Sequence, residues 1–228
     1  MPNNPKQIAL FDLDNTLIEM DSDVAWAQYL VELGVVDRDW YSRRNDEFYA
    51  QYKAGTLNIF EFLEFQLKPL ATHSPAQLHA WRDTLITERI APKISQSARD
   101  LVESHRAAGD LMAIVTATNR FITAPIAELF GIENLIATEL EEKDGRFTGR
   151  PQGVPSFREG KVTRVAQWLA QRGTALEAFE RSYFYSDSLN DLPLMSRVTH
   201  PVAVNPDPSL LAHAKAQNWP VILITSQA

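Results

Sequence analysis

Two carboxylates spaced i and i+2, Asp12 and Asp14, follow directly on the apolar run Ile8-Ala9-Leu10-Phe11, and a hydroxyl, Thr16, comes two residues later. The run predicts a short buried strand. While the backbone stays extended, side chains two apart share a face. Carboxylates at the end of a buried strand bear desolvation and mutual repulsion, so the pair needs a cation. Mg²⁺, held through a carboxylate, waters and a substrate phosphate, would meet that need. Taken alone, Asp-x-Asp-x-Thr is also an ordinary polar turn, with Asn15 as turn former and Thr16 as a cap.

Three further segments carry chemistry. Thr116-Ala117-Thr118-Asn119 follows an apolar run and offers a hydroxyl and free backbone N–H groups at a helix start, suited to an anion. Ser186-Asp187-Ser188-Leu189-Asn190-Asp191 puts two carboxylates and an amide at another strand end, and Lys161 opens a helix just after Gly160. Each has a structural alternative: Thr116 a cap, Lys161 a solvated lysine, Asp187 and Asp191 an N-cap and a first-turn carboxylate. Together, in this order, the four segments place carboxylates, hydroxyls and one lysine at one edge of a sheet.

The elements that must position them read as follows. Residues 19–90 are all-helical. One helix runs from Ser22 or Asp23 to Gly34, a second from Asp37 to Gly55, and a third from Asn58, capped with Glu61, to Pro69. A fourth opens on Ser74-Pro75-Ala76-Gln77, which combines N-cap, N1 proline and N3 glutamine. From Pro92 helix and strand alternate: helices over 94–108, 122–130, 160–172 and 208–217, strands over 111–115, 182–185, 202–204 and 221–224, and a hairpin turning at Asp144-Gly145. This succession predicts an α/β fold, a Rossmann-like, doubly wound and mainly parallel sheet. Residues 1–18 and 91–228 would form the α/β core, and 19–90 an inserted helical cap domain at the switch point where such sheets bind ligands.

The 228 residues, 45% hydrophobic and 22% charged, are those of an ordinary globular chain. With no cysteine there is no disulfide, thiolate metal site or cysteine nucleophile. Net charge −7 without a basic run argues against a nucleic-acid partner. The opening Met1–Lys6 has no leader character, and no apolar run is long enough to span a bilayer. The expectation is a cytoplasmic protein, monomer or homodimer, with no membrane partner and a small phosphorylated metabolite as ligand.

In their order, Asp12-Leu13-Asp14-Asn15-Thr16, Thr116, Lys161 and Ser186-Asp187-Ser188-Leu189-Asn190-Asp191 resemble the motifs of the haloacid dehalogenase superfamily, over nearly the whole chain. The helical insert resembles the C1 cap of the branch containing phosphoserine phosphatases. The resemblance implies a Mg²⁺-dependent phosphatase in which Asp12 attacks phosphorus to form an aspartyl-phosphate and Asp14 serves as acid and then base. Asp12, the carbonyl of Asp14 and Asp187 would hold the metal, with Asp191 as an outer or further ligand. Thr116, Ala117 and Lys161 would bind phosphoryl oxygens, and Asn190 would orient the phosphoryl group or the lysine.

The cap is expected to set specificity. Asp21 matches the acidic position that holds the substrate ammonium in phosphoserine phosphatases, while also being a natural N-cap. Aligning Gly55-Thr56-Leu57-Asn58 with their Gly-x-Leu-Asn puts Glu64 where they carry a carboxylate-binding arginine, with Arg43 or Arg44 as compensating cations. An acidic pair with Trp26, Phe48 and Tyr52 suits a flat, cationic leaving group. The cap pattern Asp21-Ser22-Asp23…Trp26, Arg43-Arg44-Asn45-Asp46-x-Phe48-Tyr49 and Glu61-Phe62-Leu63…Pro69-Leu70-Ala71 resembles bacterial histidinol-phosphatase-type members, which implies histidinol phosphate as substrate. The alternatives are phosphoserine, phosphoethanolamine or phosphocholine hydrolysis, a phosphotransferase with the same site, and a metal-binding regulatory protein. A receiver-like protein is disfavoured by the long insert and by Asp14.

Overall fold

The computed structural model describes residues 5–225; Met1–Asn4, part of the stretch read for leader character, lie outside them. The apolar run forms β1 (Gln7–Phe11), which pairs in parallel with β2 (Leu111–Asn119) on one side and β5 (Arg181–Ser186) on the other. With β3 (Leu135–Lys143), β4 (Arg146–Gln152), β6 (His200–Val204) and β7 (Val221–Ile222), the described residues form a seven-stranded sheet ordered β4-β3-β2-β1-β5-β6-β7. Only β3 and β4 are antiparallel. Their turn has φ +53° at Asp144 and +72° at Gly145, the left-handed pair that a two-residue hairpin requires.

The chain leaves β1 for β2 and β3 on one side, then crosses to β5 and β6 on the other, so the order reverses at β1. Phe11 is in register with both Ile114 and Tyr185. The residues just past three strand ends therefore meet at one edge, where doubly wound sheets bind ligands.

Helices cover both faces because β1 alternates. Ala9 and Phe11 pack with α5 (Gln96–Ala108) and α6 (Arg120–Leu129), through Val102 and Ile126. Ile8 and Leu10 pack with α7 (Glu159–Ala170), α8 (Leu192–Met195) and α9 (Pro208–Gln217), through Val165, Leu194 and Leu210.

Between β1 and α5 lie α1 (Ser22–Glu32), α2 (Arg38–Ala54), α3 (Ile59–Thr72) and α4 (Pro75–Leu85), a helical cap. Asp21, Asp37, Asn58 and Ser74 cap them, and Ser74 with Gln77 completes the expected capping box. The cap is not an isolated bundle. Trp26 of α1 meets Phe121 of α6 edge-on at 5.9 Å. Gly149 of β4 (φ +81°) admits α3 so closely that a Cβ there would lie 3.1 Å from the Ala71 Cβ. Fully burying side chains such as Leu30, Leu63 and Leu67 in this shared layer contributes about 1.5–3 kcal/mol each.

Several boundaries depart from expectation. Helix α3 does not stop at Pro69 but runs to Thr72, whose hydroxyl donates to the Pro69 carbonyl at 3.1 Å. After α4 the chain widens through a π turn (Ile86–Ile90) and then tightens through a 3₁₀ turn (Ala91–Lys93) before reaching the core. Strand β7 ends at Ile222 because Asn205 takes over the next pairing, accepting from the Ile224 N–H and donating to its carbonyl. Strand β2 extends past Val115 to Asn119 through an irregular register against β3.

Candidate active site

Asp12 prolongs β1 by donating its N–H to the Tyr185 carbonyl at 2.9 Å. The chain then curls: the Leu13 carbonyl accepts from Thr16, Leu17 and Ile18, and Asn15 takes φ +58°. The curl aims Asp12 and Asp14 at different partners on one cavity wall. Lys161 at the start of α7 donates to Asp12 Oδ1 at 2.7 Å and to Asp191 Oδ2 at 2.6 Å, and Ser186 Oγ also donates to Asp191 Oδ2 at 2.7 Å. Thr16 Oγ1 reaches both Asp12 Oδ2, at 3.3 Å, and Asp187 Oδ1, at 3.4 Å. One buried hydroxyl thus brings the free edges of two carboxylates together.

Asp14 Oδ1 accepts from the Ser22 N–H at 2.7 Å, and Oδ2 accepts from Thr118 Oγ1 at 2.9 Å and Thr116 Oγ1 at 3.3 Å. The Thr118 hydroxyl is also 3.2 Å from Asp23 Oδ2. A hydroxyl carries one proton, so Thr118 can serve only one of the two carboxylates at a time.

Burial dominates the electrostatics. It pushes Asp12 up to about 7, with Lys161 opposing and Asp191 and Asp14 adding to the rise. Asp14 is pushed up to about 6 by burial and the charge of Asp21, against hydrogen bonds from Ser22 and Thr118. Burial, then Asp12 and Asp191, holds Asp187 well above the carboxylate range. Asp23 is likewise raised by burial, Asp21 and Asp14. Lys161 stays charged despite its burial, because Asp12 and Asp191 raise it. A group near 6 is suited to giving and taking a proton at neutral pH.

The cavity enclosed by these residues and the cap has a volume of about 90 Å³. Asp12, Asp14, Asp21, Asp23 and Asp191 line it, and Lys161 is the one cationic side chain among the described lining residues. Its apolar walls include Phe48, Phe62 and Phe157, and its roof carries Gln66 and Asn45. These two are fixed to each other at 3.2 Å, with the Tyr41 hydroxyl donating to Gln66 Oε1 at 3.2 Å. An open groove of about 1220 Å³ runs along the cap–core junction and shares Asn15, Asp21, Tyr52 and Asn190 with the cavity.

Residues 9–196 match the haloacid dehalogenase-like hydrolase family. The chain belongs to that family. It is 50% identical over 218 residues to a histidinol-phosphatase of Neisseria meningitidis serogroup C, covering 95% of this chain and 98% of that one. A crystal structure of a Bordetella pertussis protein with unknown function has a TM-score of 0.91 and 51% identity, covering 96% of this chain and 99% of that one. A substrate-bound phosphoserine phosphatase has a TM-score of 0.70 at 19% identity, covering 96% and 94%, and shares the fold. The chain is accordingly a haloacid dehalogenase-like phosphatase, a hydrolase of phosphoric monoesters.

Most of the residues expected at a haloacid dehalogenase-like site come together: Asp12, Asp14, Thr116, Ala117, Lys161, Asn190, Asp191 and Asp21 all line the cavity. Asp187 lines the adjoining groove. Four expected cap residues, Trp26, Arg43, Arg44 and Glu64, do not line the cavity. Glu64 is exposed, on the polar stripe of α3 with Glu61 and Lys68, whereas Gln66 two positions on is buried and lines the cavity. The short match from Gly55 cannot register α3, since each one-residue step along a helix turns a side chain by about 100°. Arg44 lies on the outer side of α2, paired with Glu47 and stacked 4.4 Å from the Phe48 ring, and Arg43 is exposed. Trp26 is core rather than lining. Asp191 is engaged by Lys161 and Ser186, which makes it the anchor of the lysine. Sequence reasoning gave no site role to Asp23, Thr118, Asn45 or Gln66. Thr118 stands in the strand-end segment and Asp23 and Asn45 in the cap pattern, whereas Gln66 left no signal.

Proposed function

We propose that this phosphatase hydrolyses a small phosphomonoester through an aspartyl-phosphate on Asp12, and that its substrate is histidinol phosphate. The observation that carries the substrate reading is the charge of the cavity wall: five carboxylates against one ammonium, with Lys161 already held by Asp12 and Asp191. A leaving group bearing a carboxylate would find no free cation there. One bearing an amine and a flat imidazole meets Asp21 and Asp23, the Gln66–Asn45 pair and the rings of Phe48 and Phe62. The Neisseria histidinol-phosphatase supports this choice.

The site also suits Mg²⁺. Asp12 and Asp187 converge on Thr16 in a cluster with a surplus of buried negative charge, and their donors are the hard oxygens this ion takes. Asp12, Asp187 and the Asp14 carbonyl would hold it, and it would supply charge neutralisation for the phosphoryl oxygens.

In the reaction a carboxylate oxygen of Asp12 attacks phosphorus. The phosphorus–oxygen bond to the leaving alkoxide breaks, and Asp14 gives that oxygen its proton. Asp14 then takes a proton from the water that attacks the acyl phosphate, releasing inorganic phosphate and restoring Asp12. Lys161 neutralises charge around Asp12, while Thr116 and Ala117, which line the cavity beside Asp14, would bind the phosphoryl oxygens. Residues 19–90 would move as a cap over a core of 1–18 and 91–228. The hinges would be Ile18–Met20 and Ile90–Pro92, where the Glu19 N–H donates to the Lys93 carbonyl at 3.4 Å and ties the two crossings together.

Phosphate release from histidinol phosphate, phosphoserine and phosphoethanolamine, with Mg²⁺ and with EDTA, tests the reading, with Asp12→Asn as the blank. The expected result is Mg²⁺-dependent turnover favouring histidinol phosphate over phosphoserine by roughly 100-fold in kcat/KM, the upper end of the cost of leaving one buried polar group unsatisfied, about 1–3 kcal/mol. Preference for phosphoserine would overturn the cavity-charge argument, and turnover by Asp12→Asn would overturn the mechanism.

A further inference from the structure

Asn190 was expected to turn its side chain toward the phosphoryl group or the lysine. Its geometry is different. The Asn190 Oδ1 accepts from Arg158 Nε at 3.0 Å, and its Nδ2 donates to the Tyr52 carbonyl at 3.2 Å and to Ser188 Oγ at 3.3 Å. Arginine has only donors, so Arg158 forces the oxygen of the amide to its own side and the nitrogen toward Tyr52 and Ser188. Both amide protons are then used within the protein.

Arg158 also donates through Nη2 to the carbonyl of Gly55, the residue that ends α2 in a left-handed conformation (φ +70°). A Cβ at Gly55 would lie 3.1 Å from that guanidinium nitrogen. Tyr52, one turn earlier, donates its hydroxyl to Ser188 Oγ at 3.0 Å. The last turn of a cap helix is thus bound to the loop that carries Asp187 and Asp191 by an arginine, an asparagine and a tyrosine. Arg158 does this from φ +50° and ψ −120°, a region that a residue with a Cβ rarely occupies. Backbone strain of this kind persists where the surroundings impose it, and it gathers at functional sites. Arg158 also stands three residues before Lys161.

We propose that Arg158 is a positioning residue, clasping the end of α2 to Asn190 so that seating of the cap and orientation of the 186–191 loop are one event. Its consequence for turnover rests on the phosphatase reading above; the clasp itself does not. With the clasp closed, the loop holding Asp187 and Asp191 is in the arrangement described here. With it open, the α2 end is released and the Asn190 amide loses its fixed orientation.

The test uses Arg158→Gly and Arg158→Lys in the full chain, with two readouts. Hydrogen exchange of the Gly55 and Thr56 amides, both bonded within the α2 terminus, reads the clasp without any substrate. Hydrolysis of p-nitrophenyl phosphate with Mg²⁺ reads its consequence. Arg158→Gly relieves the backbone strain, so the expected result is an unchanged or higher Tm together with at least 5-fold faster exchange at Gly55 and Thr56 and a kcat/KM lowered at least 10-fold. Exchange in β1 and β2 stays as in the wild type. Arg158→Lys, able to reach one carbonyl but not to grip both partners, falls between the two. Unchanged exchange at Gly55 and Thr56 would overturn the clasp, and faster exchange with unchanged kcat/KM would overturn the positioning role. If the wild type releases no phosphate from any monoester, the function reading fails, while the exchange readout still decides the clasp.

Discussion

Lys161→Met removes the ammonium that faces Asp12 and Asp191, and its effect on stability should depend steeply on pH. In the wild type without metal, Asp12 rises from an ordinary value of 3.8 to about 7, chiefly through burial. A carboxyl whose folded pKa is raised binds more protons folded than unfolded, so its ionisation destabilises the fold progressively from about pH 4 to pH 7. For a rise of this size the destabilisation is about 4 kcal/mol at pH 8 and under about 2 kcal/mol at pH 5. Taking away Lys161 leaves charges buried 2.7 and 2.6 Å from a missing partner, a loss of about 3–5 kcal/mol where the carboxylates are ionised. At pH 5 Asp12 is protonated with or without the lysine, and much of the loss disappears. Thermal melts in EDTA should therefore show Lys161→Met melting roughly 10 °C below the wild type at pH 8 and less than about half that at pH 5. Added Mg²⁺ should raise the wild-type Tm more at pH 8 than at pH 5, because the cation competes with the proton for the same oxygens. Equal Tm losses at the two pH values would refute the idea that Asp12 is ionised and held by Lys161 in the folded protein.

Further outcomes follow from the placement of single residues. Glu64→Arg changes an exposed position outside the cavity, so kcat/KM for histidinol phosphate should stay within about twofold, whereas Asp21→Asn and Asp23→Asn should each lower it about 10-fold or more, the loss of one charge-assisted hydrogen bond. Gly160→Ala puts a Cβ 2.0 Å from the Pro155 carbonyl oxygen. The backbone must shift beside Lys161, and the variant should lose about 1–3 kcal/mol in denaturant unfolding and on the order of 100-fold in phosphate release; wild-type behaviour in both would mean that the turn before α7 is free to open.

Much of the core was legible because its signals are local. The apolar run before Asp12, the glycines after α2 and α5, the Ser74-Pro75-Ala76-Gln77 cap and the Asp144-Gly145 turn each act through neighbours in the chain, and each forms where the pattern puts it. The strand-end motifs were legible for a related reason: in a parallel sheet every strand ends at the same edge, so strand order does not need to be known to bring Asp12, Thr116 and Asp187 together.

The cap specificity residues were not legible, because facing a cavity depends on the rotation of a helix, and two residues of error exchange the buried Gln66 for the exposed Glu64. Nor was the extension of α3 through Pro69, where tertiary packing on β4 outweighs a missing hydrogen bond. A doubly wound sheet with a helical insert, and the set of groups that meet at its edge, follow from periodicity and chain order. What those groups do for one another is set by packing: that Asp191 holds Lys161, that Thr118 stands between Asp14 and Asp23, and that Arg158 turns Asn190 toward the cap. Hydrogen bonds of that kind depend on distances of a few tenths of an ångström between segments far apart in the chain, and residue type and spacing do not encode them.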